Sequence, residues 1–192
     1  MQSLCFATNN VNKLEEIRKL IEDKFYIKSL NDIGCEEELP EDHESLEGNS
    51  LQKAEFVYSN CKIDCFADDT GLEVKSLNGA PGVYSARYAG NQRNNKDNIA
   101  LLLSNLKNAV DKSAQFRTVI TLVHNGNFKQ FEGIVKGEII DKQRGIQGFG
   151  YDSVFVPEGY DRTFAEMGME LKNNISHRGM AIAKLVQYLN QM

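Results

Sequence analysis

The stretch Phe66-Ala67-Asp68-Asp69-Thr70-Gly71-Leu72-Glu73-Val74 joins an apolar run to two adjacent carboxylates and then to a second apolar alternation. Adjacent residues of a strand point to opposite faces, so both acids cannot face one core together. A turn that begins at Asp68-Asp69 would place both acids at the carboxyl end of the strand, where open α/β sheets bind ligands. The sequence therefore predicts a strand that ends at Asp68, followed by a new strand over residues 72–77.

Two interpretations of the acid pair are open at this point. Adjacent carboxylates suit Mg²⁺, which takes hard oxygen ligands and keeps waters and substrate phosphates in its shell. The residues from Asp68 to Gly71 also fit a plain Asp-x-x-Gly turn, in which aspartate hydrogen-bonds its own backbone. The rest of the chain has to decide between a metal site and a turn.

Size and composition are those of an ordinary folded protein. The chain has 192 residues, of which 41% are hydrophobic and 26% charged, with a net charge of -5. This length fits one domain over residues 1–192, and the acidic charge argues against binding to a nucleic-acid backbone.

No apolar run has the length of a membrane span and no signal peptide is visible, which predicts a cytoplasmic protein. The four cysteines lack metal-site spacing and are expected to be reduced and structural.

A polar loop lies between the first predicted strand, residues 3–7, and a helix whose apolar face repeats every three or four residues. Strand, polar loop and helix aim free backbone N–H groups and a helix dipole at an anion. Capping of the helix would need only one polar residue. The loop has more, which favours a phosphate site made by Thr8, Asn9, Asn10, Asn12 and Lys13.

Two later segments also carry chemistry. In residues 145–152 the glycines permit the backbone to approach a ligand closely, Phe149 offers a π-face to a base, and Asp152 offers a carboxylate. The same sequence also fits a glycine-rich crossover that packs Phe149 in the core. In the last helix, His177 and Arg178 fall in the first turn, where the helix dipole disfavours cations. Together with Lys172 they predict an anion or purine-edge site.

The order of elements indicates the fold. Helices alternate with strands through most of the chain, and Asn125-Gly126 between two alternating segments is a strong hairpin signal. The sequence predicts an α/β fold with a mixed, twisted central sheet flanked by helices, and two lobes around a nucleotide-binding cleft.

Taken together, these motifs resemble the inosine triphosphate pyrophosphatase family, whose members hydrolyse non-standard purine nucleoside triphosphates to monophosphate and pyrophosphate. Each motif alone is weak, but they occur in the family's order over nearly the whole chain, except that Ser153 stands where many members have proline. The matching stretches are residues 6–13, 39–41, 49–54, 67–72, 79–90, 148–152, 163–166 and 172–178.

The resemblance implies a role for each matching position. Asp69 would take the proton of the attacking water and bind Mg²⁺ with Glu41, and Asp68 would support the metal or its waters. The triphosphate would be held by the loop from Thr8 to Lys13 and by Lys53, and Thr70 would also contact the nucleotide. The base and sugar pocket would use Phe149, Gly150, Tyr151 and Asp152. The purine and the neighbouring phosphate would be read by Lys172, His177 and Arg178.

The resemblance also implies a homodimer that needs Mg²⁺ and clears ITP, XTP and their deoxy forms from the nucleotide pool. Two rival functions are a pyrophosphatase for pyrimidine or modified nucleotides, and a nucleotide-binding regulator without turnover. Paired acids argue against the regulator, because a protein that only binds a polyanion gains little from carboxylates beside phosphates.

Overall fold

A computed structural model describes residues 2–21 and 25–191, and within these ranges helices and strands alternate. The elements in chain order are β1 (Gln2–Phe6), α1 (Val11–Ile21), β2 (Phe25–Lys28), α2 (Leu46–Cys61), β3 (Cys65–Val74), β4 (Pro81–Gly82), α3 (Asn95–Asn105), β5 (Ser113–His124), β6 (Asn127–Ile139), β7 (Phe155–Pro157), α4 (Met169–Ile175) and α5 (His177–Leu189).

The strands form one mixed sheet in the order β2-β1-β3-β5-β6-β7, with β4 paired to β3. Strand β1 pairs in parallel with both β2 and β3, whereas β3–β4 and β6–β7 are antiparallel. Asn125 and Gly126 both have positive φ, as a tight hairpin turn between β5 and β6 requires. The predicted α/β fold with a mixed sheet and flanking helices is confirmed.

The chain divides into two compact units. The first comprises residues 1–69, 118–133 and 178–192, within the described ranges. It has a core on each face of β1 and β3. Phe66 belongs to the core that α1 and α5 cover, and Cys65 and Ala67 belong to the core that α2 covers. Strand β3 is therefore buried on both faces in this unit.

The second unit comprises residues 70–117 and 134–177. Its core combines Leu72 and Val74 of β3 with Ile99 and Leu102 of α3. The aromatic side chains of the core are Phe116, Tyr151, Phe155 and Phe164. Phe116 packs edge-on against Phe155, with ring centroids 4.8 Å apart.

Strand β3 differs from its prediction. The expected turn at Asp68-Asp69 is wrong, because one continuous strand runs from Cys65 to Val74. The predicted strand over residues 72–77 is also wrong in its second half, which is a 3₁₀ turn over Lys75–Leu77. The acids do lie beside a strand end, but it is the end of the neighbouring strand β1. Strand β1 stops at Phe6, which pairs with Phe66, and β3 continues past that point through the two acids.

Two further observations complete the fold. Helix α4 was not predicted, because its seven residues are too few to show a clear period. In the described part of the chain, no helix has the length and apolar character needed to cross a membrane.

Candidate active site

The two adjacent acids of β3 lie in the first unit and contact different helices. Asp68 lies on the side of α1 and α5, and Asp69 on the side of α2, as strand alternation requires. Both are buried, with relative exposures of 1% and 6%. Buried carboxylates need ion pairs or hydrogen bonds, and each of these has them.

Asp68 joins a buried network of four charges. Its Oδ1 accepts a hydrogen bond from Lys13 Nζ at 2.9 Å, and its Oδ2 accepts one from Arg178 Nε at 3.3 Å. The guanidinium of Arg178 also donates to Glu16 on α1. These two acids offset the unfavourable position of Arg178 in the first turn of α5.

Asp69 joins a second network, on the other face of the strand. Lys53 Nζ lies 3.0 Å from Asp69 Oδ1 and 2.8 Å from Glu41 Oε1, so one ammonium connects the two acids. Asn49 Nδ2 donates to Asp69 Oδ2 at 3.2 Å. Lys53 and Asn49 share one face of α2, which begins after its N-cap Ser45.

The two aspartates have opposite electrostatic environments. Burial by itself would raise the pKa of Asp68, but Lys13, Arg178 and Lys53 outweigh it and hold that pKa well below the usual range. Burial raises the pKa of Asp69 above its usual value, against the opposing effect of Lys53 and Lys13. Asp68 is therefore an anion at neutral pH, whereas Asp69 is the better proton acceptor of the two.

The predicted phosphate loop also lies in the first unit. Asn10 Oδ1 accepts a hydrogen bond from the Lys13 backbone N–H at 3.2 Å, and Thr8 Oγ1 accepts one from the Asn10 N–H at 3.1 Å. Asn9 Oδ1 accepts a long one from the Leu39 N–H, at 3.4 Å. Asn12 lies in the first turn of α1. The structure thus brings Lys13 to Asp68, and ties Asn9 to the segment just before Glu41.

Lys13 is only partly buried, with 14% of its side chain exposed, and burial lowers its pKa even though Asp68 opposes this effect. Lys53 behaves differently: burial would lower its pKa, but Asp69 and Glu41 outweigh burial and raise it. Lys53 is therefore firmly charged between its two acids.

The second unit holds the predicted base-side residues. Asp152 Oδ2 accepts hydrogen bonds from Lys172 Nζ at 2.7 Å and from the Phe149 N–H at 2.8 Å. Lys172 Nζ lies 5.1 Å from the centroid of the half-buried Phe149 ring. A side chain at Gly148 would collide with Asp152, and its φ of +73° also favours glycine. These contacts hold the Phe149 ring next to a charged donor.

The remaining predicted residues have distinct settings. The buried Tyr151 belongs to the core of the second unit and donates its hydroxyl to the Ser85 carbonyl at 2.8 Å. Gly150 adopts a positive φ of 60° beside it. The buried His177 ring stacks on Phe116 with centroids 4.7 Å apart. Thr70 follows Asp69 on β3 and is partly buried.

Glu41 and Asp69 fit the ligand preference of Mg²⁺. Their oxygens converge on one point, which the Lys53 ammonium takes. Among the described residues, no group of three or more histidine, cysteine, aspartate or glutamate side chains is arranged to hold a metal ion. Magnesium is commonly held by only one or two carboxylates, with waters and substrate phosphates completing its shell.

Two residues of these networks were missed in the sequence. Glu16 follows Lys13 by three positions on α1, and Asn49 precedes Lys53 by four on α2. Helix spacing of three or four places both members of each pair on one face, and that spacing is the signal that could have found them.

An open groove of about 720 Å³ lies elsewhere on the second unit. Its lining includes Glu73, Gln115, Lys136, Glu138 and Tyr160 and none of the predicted site residues. The candidate site therefore rests on the buried charged networks rather than on the size of a cavity.

Comparison with known proteins places the chain in a family. A sequence model of the Ham1 family matches residues 4–188. A dITP/XTP pyrophosphatase of Flavobacterium johnsoniae is 52% identical over 97% of this chain and 97% of that protein. Solved structures of Ham1 proteins from Coxiella burnetii and Staphylococcus aureus align with TM-scores of 0.91 and 0.89, at 33% and 36% identity, over at least 99% of each chain. This chain therefore belongs to the Ham1 family.

Proposed function

We propose that this protein hydrolyses non-standard purine nucleoside triphosphates, ITP and XTP with their deoxy forms, to the nucleoside monophosphate and pyrophosphate. The observation that carries the proposal is the buried pair Asp68 and Asp69, each in an ion pair with a different lysine, the pKa of Asp68 being lowered and that of Asp69 raised. The names of the dITP/XTP pyrophosphatases among its relatives support this substrate class.

The reaction is attack of water on the α-phosphorus. The water oxygen forms the new bond to phosphorus, the bond from phosphorus to the bridging oxygen breaks, and pyrophosphate leaves. Asp69 takes the proton of the water as general base, a role that its raised pKa favours. Lys13 and Lys53 balance the charge of the triphosphate and of the leaving pyrophosphate, helped by donors of the loop from Thr8 to Asn12.

We propose Mg²⁺ as the cofactor, held by Glu41 and Asp69. When bound, the ion supplies charge neutralisation to the phosphate oxygens. Both oxygens of Asp68 accept from Lys13 and Arg178, so Asp68 supports the metal site by orienting these cations. Lys53, which lies between the two acids, would then turn its charge toward phosphate.

Base recognition in this proposal is assigned to the residues around Phe149 and Lys172. The Phe149 ring stacks on the purine, and Gly150 and Tyr151 shape the loop that carries it. Lys172, held by Asp152, has only donors and so favours the 6-keto oxygen of hypoxanthine or xanthine over the 6-amino group of adenine. His177 lines the base side, Thr70 contacts the nucleotide, and Arg178 acts through Asp68 on the phosphate side.

Three further features belong to the proposal. Residues 1–192 act as a single domain, which the family match over residues 4–188 supports. The protein works as a homodimer in the cytoplasm and binds neither nucleic acid nor membrane. All four cysteines are free thiols, as a reducing compartment favours.

The test is product identity. Purified protein is incubated with Mg²⁺ and, separately, ITP, XTP, dITP, GTP, dUTP and TTP, and products are separated by ion-exchange chromatography. We expect monophosphate and pyrophosphate from ITP, dITP and XTP, at rates roughly 10²-fold or more above those for the pyrimidine nucleotides dUTP and TTP. Release of orthophosphate, or faster turnover of dUTP or TTP, would contradict the proposal.

A further inference from the structure

We infer that Asn49 is a positioning residue, which keeps Asp69 and the loop of Glu41 in one arrangement while the cation between the two acids is exchanged. This inference rests on the proposed function, in which Glu41 and Asp69 hold a divalent cation. Asn49 lies in the first turn of α2 and is 1% exposed.

The contacts of Asn49 fix the orientation of its amide. Its Nδ2 donates to Asp69 Oδ2 at 3.2 Å, and its Oδ1 accepts from the His43 backbone N–H at 2.9 Å. An ionised carboxylate only accepts and a backbone N–H only donates, so the reversed amide would satisfy neither partner. One buried side chain therefore connects strand β3 to the acid-rich segment of residues 36–44, which contains Glu41 and His43 and is called the acidic loop below.

These contacts complete a closed ring. From Glu41 the ring passes through Lys53 Nζ to Asp69, then through the Asn49 amide to His43, and back along two residues of the loop to Glu41. The Glu41 and Asp69 carboxylates thus have two links: a cationic one, through Lys53, and a neutral one, through Asn49.

The two links respond differently to an incoming cation. A divalent cation bound by Glu41 and Asp69 repels the Lys53 ammonium, since like charges in a partly buried site repel more strongly than they do in water. The amide of Asn49 carries no charge and meets no such repulsion. It is the link that persists through the exchange, and it preserves the separation of the two acids.

Neighbouring residues of α2 provide matched controls. Ser50 is fully buried, and its Oγ contacts Thr121 Oγ1 at 2.8 Å and the Glu47 carbonyl at 3.1 Å, away from both acids. Gln52 holds the same acidic loop through the Asp42 N–H, at 3.0 Å, without reaching Asp69. Ser50→Ala measures the cost of a lost buried polar group, and Gln52→Ala the cost of a looser loop.

The experiment compares Asn49→Ala and Asn49→Ser with Ser50→Ala and Gln52→Ala. The serine of Asn49→Ser has a hydroxyl, but this side chain is too short to contact both Asp69 and the His43 N–H. It is the variant to be measured if Asn49→Ala fails to fold. Two quantities are measured on folded protein: Mn²⁺ affinity without nucleotide, from the paramagnetic resonance signal of free Mn²⁺, and kcat and KM for ITP at saturating Mg²⁺.

We expect the Asn49 variants to bind Mn²⁺ about 10–100-fold more weakly, the usual effect of losing a residue that orients metal ligands. Their kcat should fall while KM for ITP stays within about threefold, and both controls should keep wild-type Mn²⁺ affinity. Wild-type Mn²⁺ affinity in a folded Asn49 variant, or equal loss in Ser50→Ala, overturns the role of Asn49 alone. A wild-type protein that binds no Mn²⁺ overturns the proposed metal site itself.

Discussion

Asp68 and Asp69 are consecutive residues of one strand, yet each contacts a lysine from a different helix, Lys13 of α1 and Lys53 of α2, at 2.9 and 3.0 Å. Strand alternation separates the two carboxylates, and burial on both faces gives each its own charged network. The two acids therefore have different electrostatic environments although they are neighbours in sequence.

Replacing Asp69 with Asn removes the proposed proton acceptor while keeping the shape of the side chain. We expect turnover of ITP to fall by about 10²–10⁴-fold, the usual size of a general-base effect. Steady-state kinetics measure kcat for ITP in the variant. The control is Asp161→Asn, the same substitution at an almost fully exposed acid of the second unit. Near-wild-type turnover of Asp69→Asn would refute its assignment as the base.

Replacing Asp68 with Asn tests a charge that is structural rather than catalytic. It leaves Lys13 and Arg178 without their shared acid, and breaking a buried pair costs about 3–5 kcal/mol at neutral pH. The pKa of Asp68 is lower in the folded than in the unfolded protein, so its stabilisation is complete above about pH 4 and declines as the pH falls toward the folded pKa.

Chemical denaturation of wild type and Asp68→Asn between pH 7 and pH 2 measures this difference. The deficit in the free energy of unfolding should be constant down to about pH 4 and shrink below it. A deficit that stays the same across the whole range would show that the variant loses packing and not charge.

Replacing Lys53 with Met leaves Glu41 and Asp69 facing each other without a cation. In the presence of a chelator the unfolding temperature should drop, because two carboxylates repel when their partner is removed. Added Mg²⁺ should then raise the unfolding temperature more in Lys53→Met than in wild type. The unfolding temperatures of wild type, Lys53→Met and the control Lys184→Met, which changes an exposed lysine, are measured with and without Mg²⁺. An equal rise in unfolding temperature on adding Mg²⁺ in all three proteins would show that the ion does not bind at Glu41 and Asp69.

Replacing Phe149 with Ala removes the proposed stacking surface for the base. Stacking of a base on an aromatic ring contributes about 1–3 kcal/mol, so KM for ITP should rise by roughly 5–150-fold. Inorganic tripolyphosphate has no base, and its inhibition constant should not change. Phe128→Ala, at an exposed ring of the hairpin, provides the control. Equal losses for ITP and tripolyphosphate would mean that the loop had lost its shape.

The sequence predicted the type and order of most elements because their patterns are local. The alternation in residues 116–122 and the Asn125-Gly126 turn define the β5–β6 hairpin without reference to the rest of the chain. Strand β3 could not be predicted in the same way. A charged pair inside a strand is tolerated only because Lys13 and Arg178 approach from one side and Lys53 from the other, and those partners are distant in sequence.

The candidate site shows the same limit. The types of its residues were visible, since lysines, acids and amides cluster in polar loops. Their pairing was not visible. Arg178 was expected to read the purine and the neighbouring phosphate, and no sequence pattern indicated that Glu16 and Asp68 would pair with it. Which donor meets which carboxylate depends on tertiary contacts between helices, which no local pattern encodes.

The most direct test of the account is the position at which water enters the substrate. ITP is hydrolysed by the protein with Mg²⁺ in water enriched in ¹⁸O, and the ¹⁸O content of each product is determined by mass spectrometry. Attack at the α-phosphorus with Asp69 as base predicts one ¹⁸O atom in inosine monophosphate and none in pyrophosphate. Label in pyrophosphate, or release of orthophosphate, would contradict it.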